Sequence, residues 1–178
     1  KKCPKAGKIR LNVEFCKCLI GLILSRTGDY VMTVNVLGAA SFLVERSSHT
    51  LSNLELQKII YIAHMFYLGR HDGEPLVHGQ FQAWHYGPVH PDLYHQVKLY
   101  GAHPVKMVYR APNINSSSNE AGLLEKAYKA LGNAGSGVLV NITHKLKGAW
   151  DKNYIPGVRG VPIPNEDIWQ EYQDFGYK

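Results

Sequence analysis

Between Ser52 and Gly69 the chain reads SNLELQKIIYIAHMFYLG, and from Ile59 to Gly69 it carries no charged side chain. Apolar groups recur at 56, 59/60, 63 and 66/67, and again at 62 and 65. Two overlapping stripes at helical spacing leave little of the surface polar, so this segment predicts a helix buried on most sides. Ser52 and Glu55 have the spacing of a capping box, in which the hydroxyl accepts from an orphan backbone N–H and the carboxylate reaches back. Gln57 and Lys58 read as its wet end, and Gly69 before Arg70 as its stop. At 1.5 Å per residue the element is about 25 Å long, the depth of a small domain. The rest of the chain has to pack around it.

Several flanking segments have recognisable patterns. Val34–Arg46 carries a helical stripe at 36/37, 40 and 43/44. Residues 70–79 are rich in Gly and Pro and predict a loop. Gln80–Tyr86 alternates Gln80 and Gln82 with Phe81 and Trp84, which predicts a short strand broken at Gly87-Pro88. Pro91 can open a helix that Gly101 closes. Val105–Arg110 reads as a second short strand pairing with 80–86, and 111–119 as a Ser/Asn-rich loop. Glu120–Gly132 is helical in pattern. Ser136–Lys145 fits a strand by propensity and a helix by spacing. Residues 157–164 are turn-rich, with Asn165 or Asp167 capping a last helix. The expected fold is mainly α with a small β element, a central buried helix packed by surrounding helices and a short β ribbon.

Charge divides the chain in two. The formal net charge is +6, but residues 1–31 hold seven Lys/Arg against Glu14 and Asp29, which leaves +1 for residues 32–178. A nearly neutral body offers no electrostatic footprint for a phosphate backbone, which argues against a nucleic-acid partner. All three cysteines lie in 1–31 without a CxxC pair or a nearby His, against a disulfide framework or structural zinc. The apolar run Leu19–Leu24 is far short of the roughly 20 residues that span a bilayer, and Lys17 spoils it as a signal peptide. Residues 1–31 read either as read-through of upstream sequence or as a loosely attached N-terminal extension, with Met32 as the natural start and 32–178 as the domain.

No catalytic motif emerges. His85, His90 and His95 are separated by Pro88 and Pro91 and cannot share a helical face as paired metal ligands do. His64 reads as a hydrogen-bonded interior histidine. No GxSxG, Walker or dinucleotide fingerprint is present, so neither a cofactor nor a metal is implied. What is concentrated is aromatic: Phe66, Tyr67, Phe81, Trp84, Tyr86, Tyr94 and Tyr100 fall within 35 residues. Most such rings fill cores, but Trp and Tyr also dominate binding energy at protein interfaces. An enzyme would need His85, His90, His144 and a carboxylate to converge. A transcriptional regulator would need a basic recognition helix.

The blocks Leu56-Gln57-Lys58-Ile59-Ile60-Tyr61, then Phe81-Gln-Ala-Trp84-His-Tyr86-Gly87-Pro88-Val89, then Pro91-Asp-Leu93-Tyr94 and Tyr100-Gly101, resemble the Panacea domain. This is the SocA-like antitoxin domain, also known as the phage-associated GepA-like family. Ile142-Thr143-His144, Gly148-Ala149-Trp150 and Ile163-Pro164 extend the likeness over residues 34–175. The resemblance implies a non-enzymatic bacterial or prophage-borne antitoxin of the cytoplasm, whose partner is a cognate toxin encoded nearby. It implies neutralisation by direct binding, and in some members delivery of the toxin to a Clp-type protease. It leaves oligomeric state open and carries over no catalytic residue. Its motif positions are Gln57, Lys58, Tyr61, Trp84, Tyr86, Gly87, Pro88, Tyr94, Thr143, His144 and Trp150. They stand either as the hallmark of the fold or as partner contacts, with the patch Trp84–Tyr94 as the expected contact surface.

Overall fold

The computed structural model describes residues 33–174. The readings of residues 1–31 and of Met32 therefore lie outside the described residues. Helix α1 is Val36–Arg46, capped by the Asn35 side chain, which accepts from Leu37 N at 2.8 Å. The central helix α2 is Asn53–Arg70. Its capping box forms as expected: Glu55 N donates to Ser52 Oγ at 3.4 Å, and Ser52 N donates to the Glu55 carboxylate at 2.9 Å. Buried side chains lie on every side of α2, including Leu56, Ile59, Ile60, Tyr61, Ile62 and Ala63.

Strands β1 (Phe81–Trp84) and β2 (Gly87–Val89) form an antiparallel hairpin, and β3 (Pro162–Ile163) pairs antiparallel with β1, giving the sheet order β2-β1-β3. Helix α3 (Pro91–Val97) passes into a 3-10 turn, Lys98–Tyr100, which Gly101 ends. Then come α4 (Asn119–Leu131), α5 (Ser136–Thr143), α6 (Ala149–Asn153) and α7 (Asn165–Asp174). Around α2 are packed α4, α7, α5 and β2, so one core runs from α1 to α7. The architecture is the mainly helical one expected, with a small sheet on one side of a central helix.

Four expectations from the sequence are corrected. Gly87-Pro88 does not merely break the chain after β1, because it is the second strand of the hairpin, with Ala83 opposite Pro88 and Trp84 opposite Gly87. Proline is tolerated there because β2 is an edge strand. Residues 105–110 form no strand with 80–86, since the free edge of β1 is taken by β3. They run irregularly instead, with Val105 N donating to Leu51 O at 2.8 Å and Val105 and Val108 buried. Gln57 and Lys58 are not wet, each being 1% exposed, because the hairpin docks over that turn of α2. Gly69 does not end α2. The helix continues to Arg70, with His71 as its C-cap.

The ambiguous segment 136–145 resolves as α5, and the Thr143 hydroxyl donates back into that helix, shared between Leu139 O and Val140 O at 3.1 Å each. Asn165 is the first residue of α7, with its side chain turned to His64 at 3.0 Å, and Asp167 accepts from Asn153 Nδ2 at 2.8 Å. Among the described residues, no helix is long and apolar enough to cross a membrane.

Gly69 has a packing reason. A Cβ there would stand 2.1 Å from Tyr172 Cδ1, so the Tyr172 ring lies directly on the backbone of α2 and carries α7 against it. Alanine is the better helix former by about 1 kcal/mol. Overpacking a tight contact costs about 1–3 kcal/mol and should win. Gly69→Ala is therefore expected to lower the midpoint of urea unfolding, and a rise would show that Tyr172 moves aside freely.

Candidate functional site at the hairpin

The polar end of α2 holds the hairpin by its backbone. Gln57 Oε1 accepts from His90 N at 2.8 Å, while Gln57 Nε2 donates to His90 O at 3.4 Å. One amide thus satisfies both backbone groups of the residue where β2 turns into α3. Lys58 Nζ donates to Pro88 O at 2.9 Å. Burial pushes the Lys58 amine down to about 7.

Gly87 lies between Lys58 and α5. It adopts φ +97°, and a Cβ would meet Lys58 Cε and Thr143 Oγ1 at 2.9 Å and His144 Nε2 at 3.2 Å. Only glycine combines that torsion with that close approach. Lys58, Thr143 and His144 thus converge on the same backbone atom from two helices. His144 Nε2 is buried without a hydrogen-bond partner, and burial together with the nearby Lys58 charge pushes the imidazole down to about 4.

A stack of rings continues outward from this point. The Trp150 ring lies 3.7 Å from His144 at an interplanar angle of 3° and 4.6 Å from Tyr154 at 17°. Trp150 Nε1 donates to Trp84 O at 2.8 Å, which ties α6 to the end of β1. At the hairpin turn, His85 Nδ1 is 2.9 Å from the Tyr154 hydroxyl. The Trp84 ring meets Tyr94 edge-on at 4.7 Å, and the Arg159 guanidinium lies 5.4 Å from the Trp84 ring centre. Tyr61 is buried, edge-on to Phe81 at 5.2 Å, with its hydroxyl 3.5 Å from Glu171 Oε2.

The eleven motif residues therefore fall into two groups. Gln57, Lys58, Tyr61, Gly87, Pro88, Thr143 and Trp150 are buried, and together they bind α2, the hairpin, α5 and α6 to one another. Trp84, Tyr94 and His144 are half-buried, and Tyr86 is 64% exposed. The three histidines of the enzymatic alternative stay apart in their bonding. His85 pairs with Tyr154, His90 Nε2 donates to His78 O at 2.8 Å, and His144 stacks on Trp150. Among the described residues, no group of three or more His, Cys, Asp or Glu side chains is placed to hold a metal ion.

His64 is the interior histidine expected. Val77 N donates to its Nδ1 at 3.4 Å, which leaves Nε2 to donate to Asn165 Oδ1 at 3.0 Å. That is the neutral tautomer, and burial holds the ring down at about 4.

Sequence reasoning missed Glu171, Tyr154 and Arg159. Glu171 Oε2 accepts from Ala149 N at 2.7 Å and so anchors the start of α6, with burial pushing its carboxyl up. The signal for Glu171 was present: Ile168, Glu171 and Tyr172 are spaced as one apolar stripe of α7, and all three are buried. Tyr154 and Arg159 carry no such signal, since they reach the hairpin from an irregular segment.

These buried bases give stability a definite pH dependence. Each binds its proton less readily folded than unfolded, so stability rises with pH between the two values. His64 and His144 act between about 4 and the ordinary 6.5, and Lys58 between about 7 and the ordinary 10.5. Glu171, raised by burial, acts the opposite way in the carboxylate range. Urea unfolding is expected to give a free energy that climbs from pH 7 to 9.5, with a slope approaching about 1.4 kcal/mol per pH unit. Lys58→Met should flatten that climb. A wild-type profile already flat over this range would contradict the buried amine.

Comparison with known proteins bears on this arrangement. The family model described as Antitoxin SocA-like, Panacea domain, matches residues 56–151, from the start of the buried stretch of α2 through α5 to Trp150 and Asp151. Antitoxin SocA of Caulobacter vibrioides (strain NA1000 / CB15N) is 30% identical over 136 residues, covering 67% of this chain and 70% of that protein. No solved structure matches. The matched span contains all eleven motif residues, and the chain belongs to the SocA-like, Panacea-domain antitoxin family.

Proposed function

We propose that this protein is the antitoxin of a bacterial toxin–antitoxin pair, and that it neutralises a toxin encoded nearby by binding it directly in the cytoplasm. Family membership supports the class. One observation carries the mode of action. Within the span that the family model matches, buried groups build a mount that holds Trp84, Tyr86 and Tyr94 toward the surface. Large, rigid aromatic side chains lose little entropy on docking and supply much of the energy at protein interfaces. The protein acts by occupancy and not by chemistry.

Occlusion of the toxin and its delivery to a Clp-type protease share the same binding step. They differ in the fate of the toxin. Under occlusion the toxin persists at constant level in the complex, and under delivery its half-life shortens when the antitoxin and the protease are both present.

Co-expression with the adjoining gene tests the proposal. That gene should be toxic alone and harmless with this protein, and a lethal pair would end the antitoxin reading. Two tryptophans then separate mount from contact. Trp150→Ala removes a buried ring and should cost about 3–5 kcal/mol of stability. Trp84→Ala removes a half-exposed ring, while its carbonyl still accepts from Trp150. It should cost under about 2 kcal/mol by chemical denaturation, yet abolish rescue. Full rescue by a folded Trp84→Ala protein would remove this ring from the contact.

A further inference from the structure

The end of α5, α6 and residues 154–159 come together beside the hairpin turn. The His85–Tyr154 hydrogen bond joins the hairpin turn to Tyr154. The His144–Trp150–Tyr154 stack joins the end of α5 to the same place. Arg159, set over the Trp84 ring, brings in the turn in which Val158 N donates to Ile155 O at 3.0 Å.

This convergence exposes apolar side chains that the fold does not use. Leu146 is 75% exposed, and Tyr86, Ile155 and Val158 are also open to solvent. They are half of the large hydrophobic residues exposed among the described residues, the others being Leu99, Met107, Tyr109 and Val138. Each lies within two residues of a converging contact: Tyr86 beside His85, Ile155 beside Tyr154, Val158 beside Arg159 and Leu146 two positions from His144. Exposed apolar groups gathered in this way mark an interaction surface more than scattered single residues do.

Basic residues outnumber acids along this stretch. Residues 144–159 contain Lys145, Lys147, Lys152 and Arg159 against the single acid Asp151. Asp151 Oδ2 already accepts from Lys147 N at 2.8 Å. Of the acids of α7, Glu171 is buried against Ala149 N and Asp167 is taken up by Asn153 Nδ2, so Lys147, Lys152 and Arg159 remain the exposed charges of the stretch beside Asp151.

We propose that this face, from the hairpin turn across residues 144–159, is where the toxin docks, and that the toxin element it takes is an acidic segment with apolar anchors. The proposal rests on the antitoxin reading and specifies its partner. Apolar anchors fill the space among Tyr86, Leu146, Ile155 and Val158. Carboxylates on the partner face Lys147, Lys152 and Arg159, which steers the encounter and makes it sensitive to salt.

The experiment uses the full chain and the purified product of the adjoining toxin gene, with affinity measured by titration calorimetry and toxicity by co-expression. Affinity should fall at least tenfold between 0.1 and 0.5 M salt. Leu146→Asp, and separately the triple charge reversal Lys147→Glu/Lys152→Glu/Arg159→Glu, should each weaken binding at least thirtyfold and lose rescue. Leu146→Asp should keep the wild-type melting profile, since that side chain is exposed, and the triple variant, which gives up the Arg159 contact with the Trp84 ring, should lower it only slightly while remaining folded. Leu99→Asp and Tyr109→Asp, changes of the same kind in the 98–110 segment, should bind normally. If wild type rescues but the Leu146 and triple variants bind and rescue as well as it does, the docking face is wrong and the antitoxin reading stands. The docking face is equally wrong if the loss occurs in the Leu99 and Tyr109 variants, or if the triple variant changes only self-association in gel filtration. If wild type itself fails to bind or rescue, the antitoxin reading falls and this proposal with it.

Discussion

The edge strand β2 is short, contains a proline and has only one strand beside it, and what fixes it in place comes from the central helix. Gln57 satisfies both backbone groups of His90, and Lys58 satisfies the carbonyl of Pro88. Leaving a buried backbone group without its partner costs about 1–3 kcal/mol, so each of these bonds is a strong constraint on where the hairpin sits. The glycine between them completes the constraint. Any side chain at Gly87 would press on Lys58, Thr143 and His144 together, so α2, β2 and α5 are locked by a contact among backbone, amine and hydroxyl.

Outside this lock the structure becomes progressively wetter and more aromatic. Trp150 transmits the position of α5 to α6 by stacking on His144, and transmits the position of α6 to β1 through its bond to the carbonyl of Trp84. Glu171 does the same from the other side by holding the first N–H of α6. The exposed rings thus stand on a base in which Gln57, Lys58, Thr143 and Trp150 spend their polar groups internally, with His144 Nε2 the exception. A surface preorganised in this way loses little freedom on binding, which favours recognition of a partner without large rearrangement.

Much of this was legible in the sequence where the determinants are local. The Ser52–Glu55 box, the uncharged double stripe of α2, Pro91 opening α3 and the Leu123–Leu131 stripe of α4 all depend on residues within a few positions of one another. The errors lie where distant segments decide. Polar Gln57 and Lys58 look like solvent-facing residues until a hairpin thirty positions away brings backbone groups to them. The partner of β1 is Pro162–Ile163 and not 105–110, a choice that strand propensity alone does not make. Gly69 looks like a stop until Tyr172 is placed on it. For the candidate site, the ordered motif blocks were visible, but their division into buried mount and exposed rings required the fold.

The central claim is that the buried motif is a mount and that recognition takes place on the face it carries. Amide hydrogen exchange of the protein, free and bound to the toxin of the adjoining gene, tests this most directly. The account predicts new protection confined to the hairpin turn and residues 144–159, with exchange in α1 and α4 unchanged. Protection centred on α1, α4 or the 98–110 segment, with the hairpin turn exchanging as in the free protein, would contradict it.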